Sequence, residues 1–332
     1  MEVSKIKSDE DAPLVSIVIV TYNHKDFIDE CIESCVKQAQ TLPSIEIIVA
    51  DDGSHDGSPA KIIKWAQQYP CLLRPIFSEV NTGIAANLNR GLNAVRGKFI
   101  AWLGGDDIML PGKILRQFEF LEGHPGFAGC YHDADVFSWP SGHTLGLFSE
   151  LYAGKASNAV SINAKRMLDP RYQMLPSTVM VRSDVIPTTF DTRLGFHNDY
   201  LFDLETIIAG GPYARMDGVF TRYRKHEKSI GLSPKTRATM LEENLLVCAI
   251  AEARYPVYAA NINRRAVYYL CLEAVRSLKQ GERNRAVLLC KAIAKRGALA
   301  RSLIIFLFGG ALTRLTDPNY RRLATKLRTI FG

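Results

Sequence analysis

The sequence predicts a doubly wound α/β fold with a mostly parallel sheet, followed by a C-terminal α-helical extension. Three observations lead there. Short apolar, β-branched runs alternate with amphipathic stretches through roughly the first 120 residues. Two of those runs end abruptly in paired aspartates. From Pro234 onward the apolar spacing is helical throughout.

Leu14 to Val20 reads LVSIVIV, a continuous apolar run of the kind buried on both faces of a parallel sheet. A polar loop, Thr21-Tyr22-Asn23-His24, follows. A helix is expected over about residues 25–38, with Phe27, Ile28, Cys31, Ile32, Cys35 and Val36 on one stripe. Ile45 to Ala50 is a second buried strand and ends in Asp51-Asp52-Gly53-Ser54. Ser58 can cap the next helix, with Pro59 at its first position. Leu72–Phe77 reads as a third strand and Asn81–Val95 as a helix. Lys98–Leu103 is a fourth strand running into Gly104-Gly105-Asp106-Asp107, and Pro111 opens another helix. Strand, loop, helix in repetition places ligands at the carboxyl ends of the strands. Beyond Phe127, short strands near 127–137 and 174–182, a helix from Asp199 to Ala209 and a strand over 213–224 are expected. The domains read as a polar segment 1–12, an α/β domain 13–232, and a helical region 233–332 with a basic tail.

Charge is placed unevenly. The chain has 332 residues and a formal net charge of +7, but residues 281–332 carry 11 Lys or Arg against two acidic residues, and the rest carries 30 against 32. A basic tail points to a membrane surface, or it is simply a solvated helix face; nucleic acid is not the expected partner. From Tyr320, the spacing puts Leu323, Leu327, Ile330 and Phe331 on one face, with Arg321, Arg322, Lys326 and Arg328 toward the others. Such a helix can lie on anionic lipid, or dock on the domain or a partner chain. The N-terminus does not read as a signal peptide. Leu303–Phe308 falls far short of the roughly 20 residues of a spanning helix. Seven irregularly spaced cysteines without a C-x-x-C pair indicate neither a disulfide framework nor a zinc site. A cytoplasmic protein, in peripheral contact with the membrane if the tail binds lipid, fits these features; the oligomeric state is open.

Two aspartate pairs on one rim repel each other unless a cation sits among them. Oxygen ligands of this kind suit Mg²⁺ or Mn²⁺, which take few carboxylates and complete their shell with substrate phosphates. Asp-Asp and Asp-Gly are also good turn formers. The chain contains neither G-x-G-x-x-G after the first strand nor a P-loop, so a Gly-rich phosphate cradle is not expected.

Taken together, these motifs resemble family 2 glycosyltransferases with the GT-A fold. Val15–Asn23 looks like the opening strand and nucleotide loop, and Ile47–Ser58 like the second strand with its uracil-binding aspartate. Asn81-Thr82-Gly83, with Asn89 and Gly91, is similar to the next signature, and Lys98–Pro111 to the strand bearing metal-binding aspartates. The resemblance spans about residues 13–230. It implies transfer of a sugar, with inversion, from a nucleotide-sugar donor (a UDP-sugar) to a glycan or lipid-linked glycan in polysaccharide or cell-envelope synthesis. It implies a nucleotide site at Thr21, Tyr22, Asn23, Asp51, Asp52, Asn81, Gly83, Asn89 and Arg224. It implies a divalent cation, Mn²⁺ or Mg²⁺, on Asp106 and His226, and Asp199 as the general base. Asp107, Asn198 and Trp139 would lie near donor or acceptor. His132, Asp133 and Asp135 either line the acceptor side or form a turn. Three departures stand out: Gly104 where an Asp often stands, Asn198 for a Glu, and Leu88 for an Arg. A sugar nucleotidyltransferase would want a Gly-rich basic loop after the first strand, which is missing. A catalytically silent nucleotide- or glycan-binding protein is the reading that Gly104 and Asn198 leave open.

Overall fold

The computed structural model describes residues 13–42, 44–153, 160–227, 229, 234–299, 301, 302 and 305. The polar segment 1–12, the tail helix from Tyr320 and all of the Leu303–Phe308 run except Ile305 lie outside the described residues. Strands and helices alternate as β1 (Val15–Thr21), α1 (Ile28–Val36), β2 (Ile45–Asp51), α2 (Ser58–Gln68), β3 (Leu73–Phe77), α3 (Ile84–Leu92) and β4 (Phe99–Gly104). They continue with β5 (Ile108–Met109), α4 (Lys113–Gly123), β6 (Gly129–Ser138), β7 (Thr144–Leu147), β8 (Ser161–Ile162), α5 (Ala164–Met167), β9 (Met180–Arg182), α6 (Asn198–Gly210) and β10 (Tyr213–Lys225). Three longer helices follow among the described residues: α7 (Pro234–Arg254), α8 (Ala259–Lys279) and α9 (Arg283–Lys295).

One sheet takes in all ten strands, in the order β3-β2-β1-β4-β9-β6-β10-β5, with β7 on β6 and β8 on β10. The strands β3, β2, β1 and β4 run parallel. Antiparallel β9 stands between β4 and β6, and β10 is again parallel to β6. The parallel register pairs Thr21 with Asp51 and Val20 with Gly104, so the loops after β1, β2 and β4 leave the sheet at one edge.

Hydrophobic burial explains the expected strands. Ile17, Ile19, Ile47, Val49, Phe99 and Ala101 are fully buried, and Ile28, Cys31, Ile32 and Cys35 of α1 pack in the same core. Glu46 interrupts the apolar run of β2 and is itself buried. Its carboxylate is satisfied by Ser16 Oγ at 2.6 Å and by Arg96 Nε and Nη2 at 3.0 and 2.9 Å, since a buried charge without partners would cost several kcal/mol.

Two helices start later than their apolar spacing suggests. The segment 81–83 is not helical because the backbone N–H groups of Thr82 and Gly83 donate to the Asp52 carboxylate instead. Near 25–27 the chain turns on the His24 carbonyl, which accepts from Phe27 and Ile28 before α1 begins.

The described residues divide into two compact units, up to Ala238 and from Thr239. In the second unit, Val267, Leu270 and Ala274 of α8 and Cys290 and Ile293 of α9 form a separate core. No helix among the described residues is long and apolar enough to cross a membrane.

Gly53 fixes the meeting of two loops. Its φ is +72°, and a Cβ there would stand 2.6 Å from the Val80 carbonyl carbon. Gly57 has φ +95° but nothing within 4 Å of a Cβ. Gly57→Ala is expected to cost only the left-handed backbone strain, about 1–2 kcal/mol. Gly53→Ala should cost clearly more, because backbone must move as well. Urea unfolding of both variants checks the order; equal midpoints would contradict it.

Candidate active site

The edge where β1, β2 and β4 end carries the site, closed on one side by the end of β10. After β4 the chain turns at Gly104-Gly105-Asp106-Asp107 and enters β5, which pairs antiparallel with β10. That pairing brings Arg224 and His226 against the two aspartates. His226 Nε2 lies 3.0 Å from Asp106 Oδ2. Arg224 Nε donates to the Asp106 carbonyl at 2.7 Å, and its backbone N–H donates to Asp107 Oδ1 at 3.1 Å.

Asp106 and Asp107 have different surroundings. Asp106 keeps 20% of its side chain exposed, whereas Asp107 is only 2% exposed as a residue. Asp107 Oδ2 accepts from Ser177 Oγ at 2.6 Å, so both its oxygens are bound within the protein. Burial, then the neighbouring Asp106 charge, push the Asp107 carboxyl up to about 8, against the pull of Ser177 and Arg224. Burial alone would raise Asp106 too, but the His226 hydrogen bond and the positive fields of His24 and His226 hold it below the usual carboxylate range. Asp106 is thus the ionised, open member of the pair, and Asp107 shapes the turn.

Aromatic packing fixes the groups around Asp106. The Phe27 ring lies 4.6 Å from His226 and 5.2 Å, edge-on, from Trp139. The Arg224 guanidinium lies 4.9 Å from the Phe27 ring and 4.7 Å from Phe137, with Nη2 donating to Glu30 at 2.6 Å. Arg224 was expected at the diphosphate. Here its Nε and Nη2 bond to the Asp106 carbonyl and to Glu30, which ties it to the turn. Trp139 is exposed beside this cluster, with its backbone N–H on the Lys225 carbonyl at 2.9 Å. His24 lies on the same side, edge-on to His226 at 6.3 Å between ring centroids. A Cβ on Gly105 would stand 3.0 Å from His24 Nδ1 and 2.6 Å from Thr21 Oγ1, so that glycine lets the β1 loop close in.

The nucleotide-site residues are gathered on the neighbouring loops, several with their polar atoms already used. Asp51 caps its own turn, accepting from Ser54 Oγ at 2.5 Å and Ser54 N at 2.9 Å. Asn23, at φ +54°, donates its N–H to Ser54 Oγ at 2.7 Å and accepts from His55 N at 3.0 Å. Asp52 accepts from Thr82 N, Thr82 Oγ1, Gly83 N and Arg90 Nη2. Three of these donors fall on Oδ1 and one, Gly83 N, on Oδ2, which keeps an acceptor site. Asn89 bonds through both ends of its amide to the Phe190 backbone, at 2.7 and 3.0 Å. Thr21 is buried beneath the edge, while Tyr22 and Asn81 are exposed on it.

Asp199 sits in the first turn of α6, half-buried, and Asn198 beside it is buried with its amide on the Gly195 carbonyl at 3.1 Å. Burial pushes the Tyr223 phenol up, and the charges of Asp107, Asp106 and, more weakly, Asp199 add to it, so Asp199 lies within electrostatic reach of Tyr223. His132, Asp133 and Asp135 belong to β6 and not to a turn or a rim. His132 is packed edge-on against Phe220, Asp133 accepts from Ser149, and Asp135 pairs with Arg222 at 2.8 Å.

Sequence reasoning missed Ser177, Lys113, Glu30 and Arg90. Lys113 left a trace: with Gln117 it lies on the buried face of α4 beside Ile114 and Leu121. Two polar residues one turn apart on an apolar face signal a buried target. Arg90 reaches Asp52, although the helix carries Leu88 where the family often has Arg.

Comparison with known proteins now bears on this geometry. Residues 16–163 match the family model described as glycosyl transferase family 2. An uncharacterized glycosyltransferase of Methanocaldococcus jannaschii is 30% identical over 223 residues, covering 64% of this chain and 71% of its own length. The chain belongs to glycosyltransferase family 2. Another relative, an uncharacterized protein of Mycobacterium tuberculosis, is 29% identical over 226 residues, or 67% of the chain. The chain spans 62% of the length of that curated relative. Among solved structures, S. aureus TarS 1-349 in complex with UDP-GlcNAc superposes with a TM-score of 0.65 at 16% identity, covering 95% of this chain and 91% of that one. The mannosyltransferase PcManGT from Pyrobaculum calidifontis, in complex with GDP-Man and Mn²⁺, gives 0.58 at 17% identity, covering 95% and 84%. These likenesses fix the fold as GT-A.

His132 supplies a pH test of the packing. Burial, then the charge of Lys113, push its imidazole down to about 3. The unfolded chain, with a histidine near 6.5, therefore takes up the proton first on acidification. The stability contributed by neutral His132 is complete above about pH 6.5 and falls toward pH 3, by up to ~1.4 kcal/mol per pH unit. His132→Gln should flatten the loss of stability between pH 7 and 5 in denaturant unfolding. Parallel curves for the two proteins would contradict the assignment.

Proposed function

We propose that this glycosyltransferase moves a sugar, with inversion at the anomeric carbon, from a UDP-sugar to a glycan or lipid-linked glycan. The observation that carries the reading is the Asp106–His226 pair, 3.0 Å apart where the strands end. A carboxylate oxygen and an imidazole nitrogen suit Mn²⁺ or Mg²⁺ well enough when phosphate and water fill the rest of the shell. Among the described residues no three His, Cys, Asp or Glu side chains converge on one point, so donor phosphates are needed to complete such a site. Gly104 does not argue for a silent protein: a Cβ there would stand 2.8 Å from Asp106 Oδ1, and His226 supplies the second ligand from the other side. When bound, the cation would stabilise charge on the leaving diphosphate.

Asp199 takes the proton of the acceptor hydroxyl. The freed oxygen attacks the anomeric carbon, the carbon–diphosphate bond breaks, and its electron pair leaves on the phosphate oxygen. Tyr22 and the Asp51–Asp52 loop receive the nucleotide, and Trp139 offers an aromatic face for a sugar. Two solved structures of like fold support a nucleotide-sugar donor and a divalent cation: TarS was solved with UDP-GlcNAc and PcManGT with GDP-Man and Mn²⁺. A basic tail would favour an acceptor held at an anionic membrane surface.

UDP release from a panel of UDP-sugars with Mn²⁺ tests the reading. Asp106→Asn should lower the rate by about 100-fold or more, and Asp199→Asn by roughly 10²–10⁴-fold. Wild-type rates in Asp106→Asn would overturn the metal role. Absence of turnover with every nucleotide-sugar would favour a binding protein.

A further inference from the structure

Ser177 joins the active-site edge to the core beneath it. It lies in a short 3-10 turn, Pro176–Thr178, that precedes β9. Its hydroxyl donates to Asp107 Oδ2 at 2.6 Å and accepts from the Gly104 N–H at 3.3 Å, so it grips both ends of the Gly104–Asp107 turn. Its carbonyl accepts from Lys113 Nζ at 2.6 Å and from Thr221 Oγ1 at 3.0 Å. One residue on, the Thr178 carbonyl accepts from Gln117 Nε2 at 2.9 Å. Lys113 and Gln117, one turn apart on α4, therefore clamp this turn from below.

Lys113 is an uneconomical residue if the clamp is all that is needed. It is fully buried. An amide or hydroxyl would satisfy a carbonyl without desolvating an ammonium, which is far costlier to bury than a neutral donor. Burial lowers the lysine to about 8, and its field reaches as far as Asp107.

We propose that Ser177 and Lys113 form a positioning relay for the cation site, in which the ammonium seats Ser177 and the Ser177 hydroxyl locks Asp107, leaving Asp106 aimed at His226. The inference rests on the metal role of Asp106 proposed above. Neither residue touches donor or acceptor: Lys113 has no exposed surface and Ser177 is 5% exposed, with its hydroxyl turned to Asp107. Both act through Asp107.

The test is a titration of the purified full chain with Mn²⁺ in the presence of UDP, read by the EPR signal of free Mn²⁺, with thermal unfolding run alongside. Ser177→Ala is expected to weaken Mn²⁺ binding by roughly 10- to 100-fold, the usual effect of removing an outer-shell partner. Its kcat should recover as Mn²⁺ is raised to saturation. Leu121→Ala, on the same buried face of α4, is the control: it should lower the melting temperature and leave Mn²⁺ affinity unchanged. Lys113→Met should follow Ser177→Ala; if it does not fold, the Ser177 and Leu121 pair still decides. Wild-type Mn²⁺ affinity in folded Ser177→Ala would overturn the relay, as would an equal loss of affinity in Leu121→Ala. A wild type that binds no Mn²⁺ would overturn the metal reading first, and the relay with it.

Discussion

The carboxyl group of Asp107 is the junction on which the site depends. It is buried at the point where β4, β5, β10 and the turn before β9 meet, and it accepts one hydrogen bond from Arg224 N and one from Ser177 Oγ. Such hydrogen bonds contribute about 0.5–1.5 kcal/mol each, and leaving a buried carboxyl oxygen unsatisfied costs about 1–3 kcal/mol. The turn therefore has little freedom. Because Asp107 is fixed, its neighbour Asp106 must face the end of β10, where His226 waits. One carboxylate is spent on structure so that the next one can be offered to a ligand.

The same economy runs along the rest of the edge. Asp51 stitches its own loop through Ser54, and Asp52 stitches the β2 loop to the Thr82–Gly83 segment. Gly53 and Gly105 permit backbone and side chains to approach where a Cβ would collide. Four aspartates share one rim, yet Asp106 is the one whose carboxylate combines solvent exposure with a histidine partner. Arg90 pairs with Asp52, and Lys113 holds the Ser177 carbonyl below Asp107. Arg224 serves from the side, sandwiched between two phenylalanine rings and tied to Glu30.

Much of this was legible in the sequence, for definite reasons. The runs LVSIVIV and IEIIVA announce buried parallel strands because burial on both faces leaves no polar alternation to read. The pairs Asp51-Asp52 and Asp106-Asp107 at their ends fall on one edge because parallel strands share a direction. What the sequence did not show is which polar atoms are already spent. Asn89 sits in a signature segment but closes a clip to Phe190, 101 residues away. Ser177 lies in an irregular segment with no periodicity, and its partner Lys113 is 64 residues distant. Hydrogen bonds of that range carry no local pattern. His132 reads as a polar residue after a short strand, whereas β6 runs on through it into the core.

The most direct measurement is a crystal structure of the full chain with UDP and Mn²⁺. The cation should be bound to the Asp106 carboxylate and to His226 Nε2, with diphosphate oxygens completing its shell. Asp107 should keep its bonds to Ser177 and Arg224. A cation ligated by Asp107 in place of Asp106, or a diphosphate bound away from this strand edge, would contradict it.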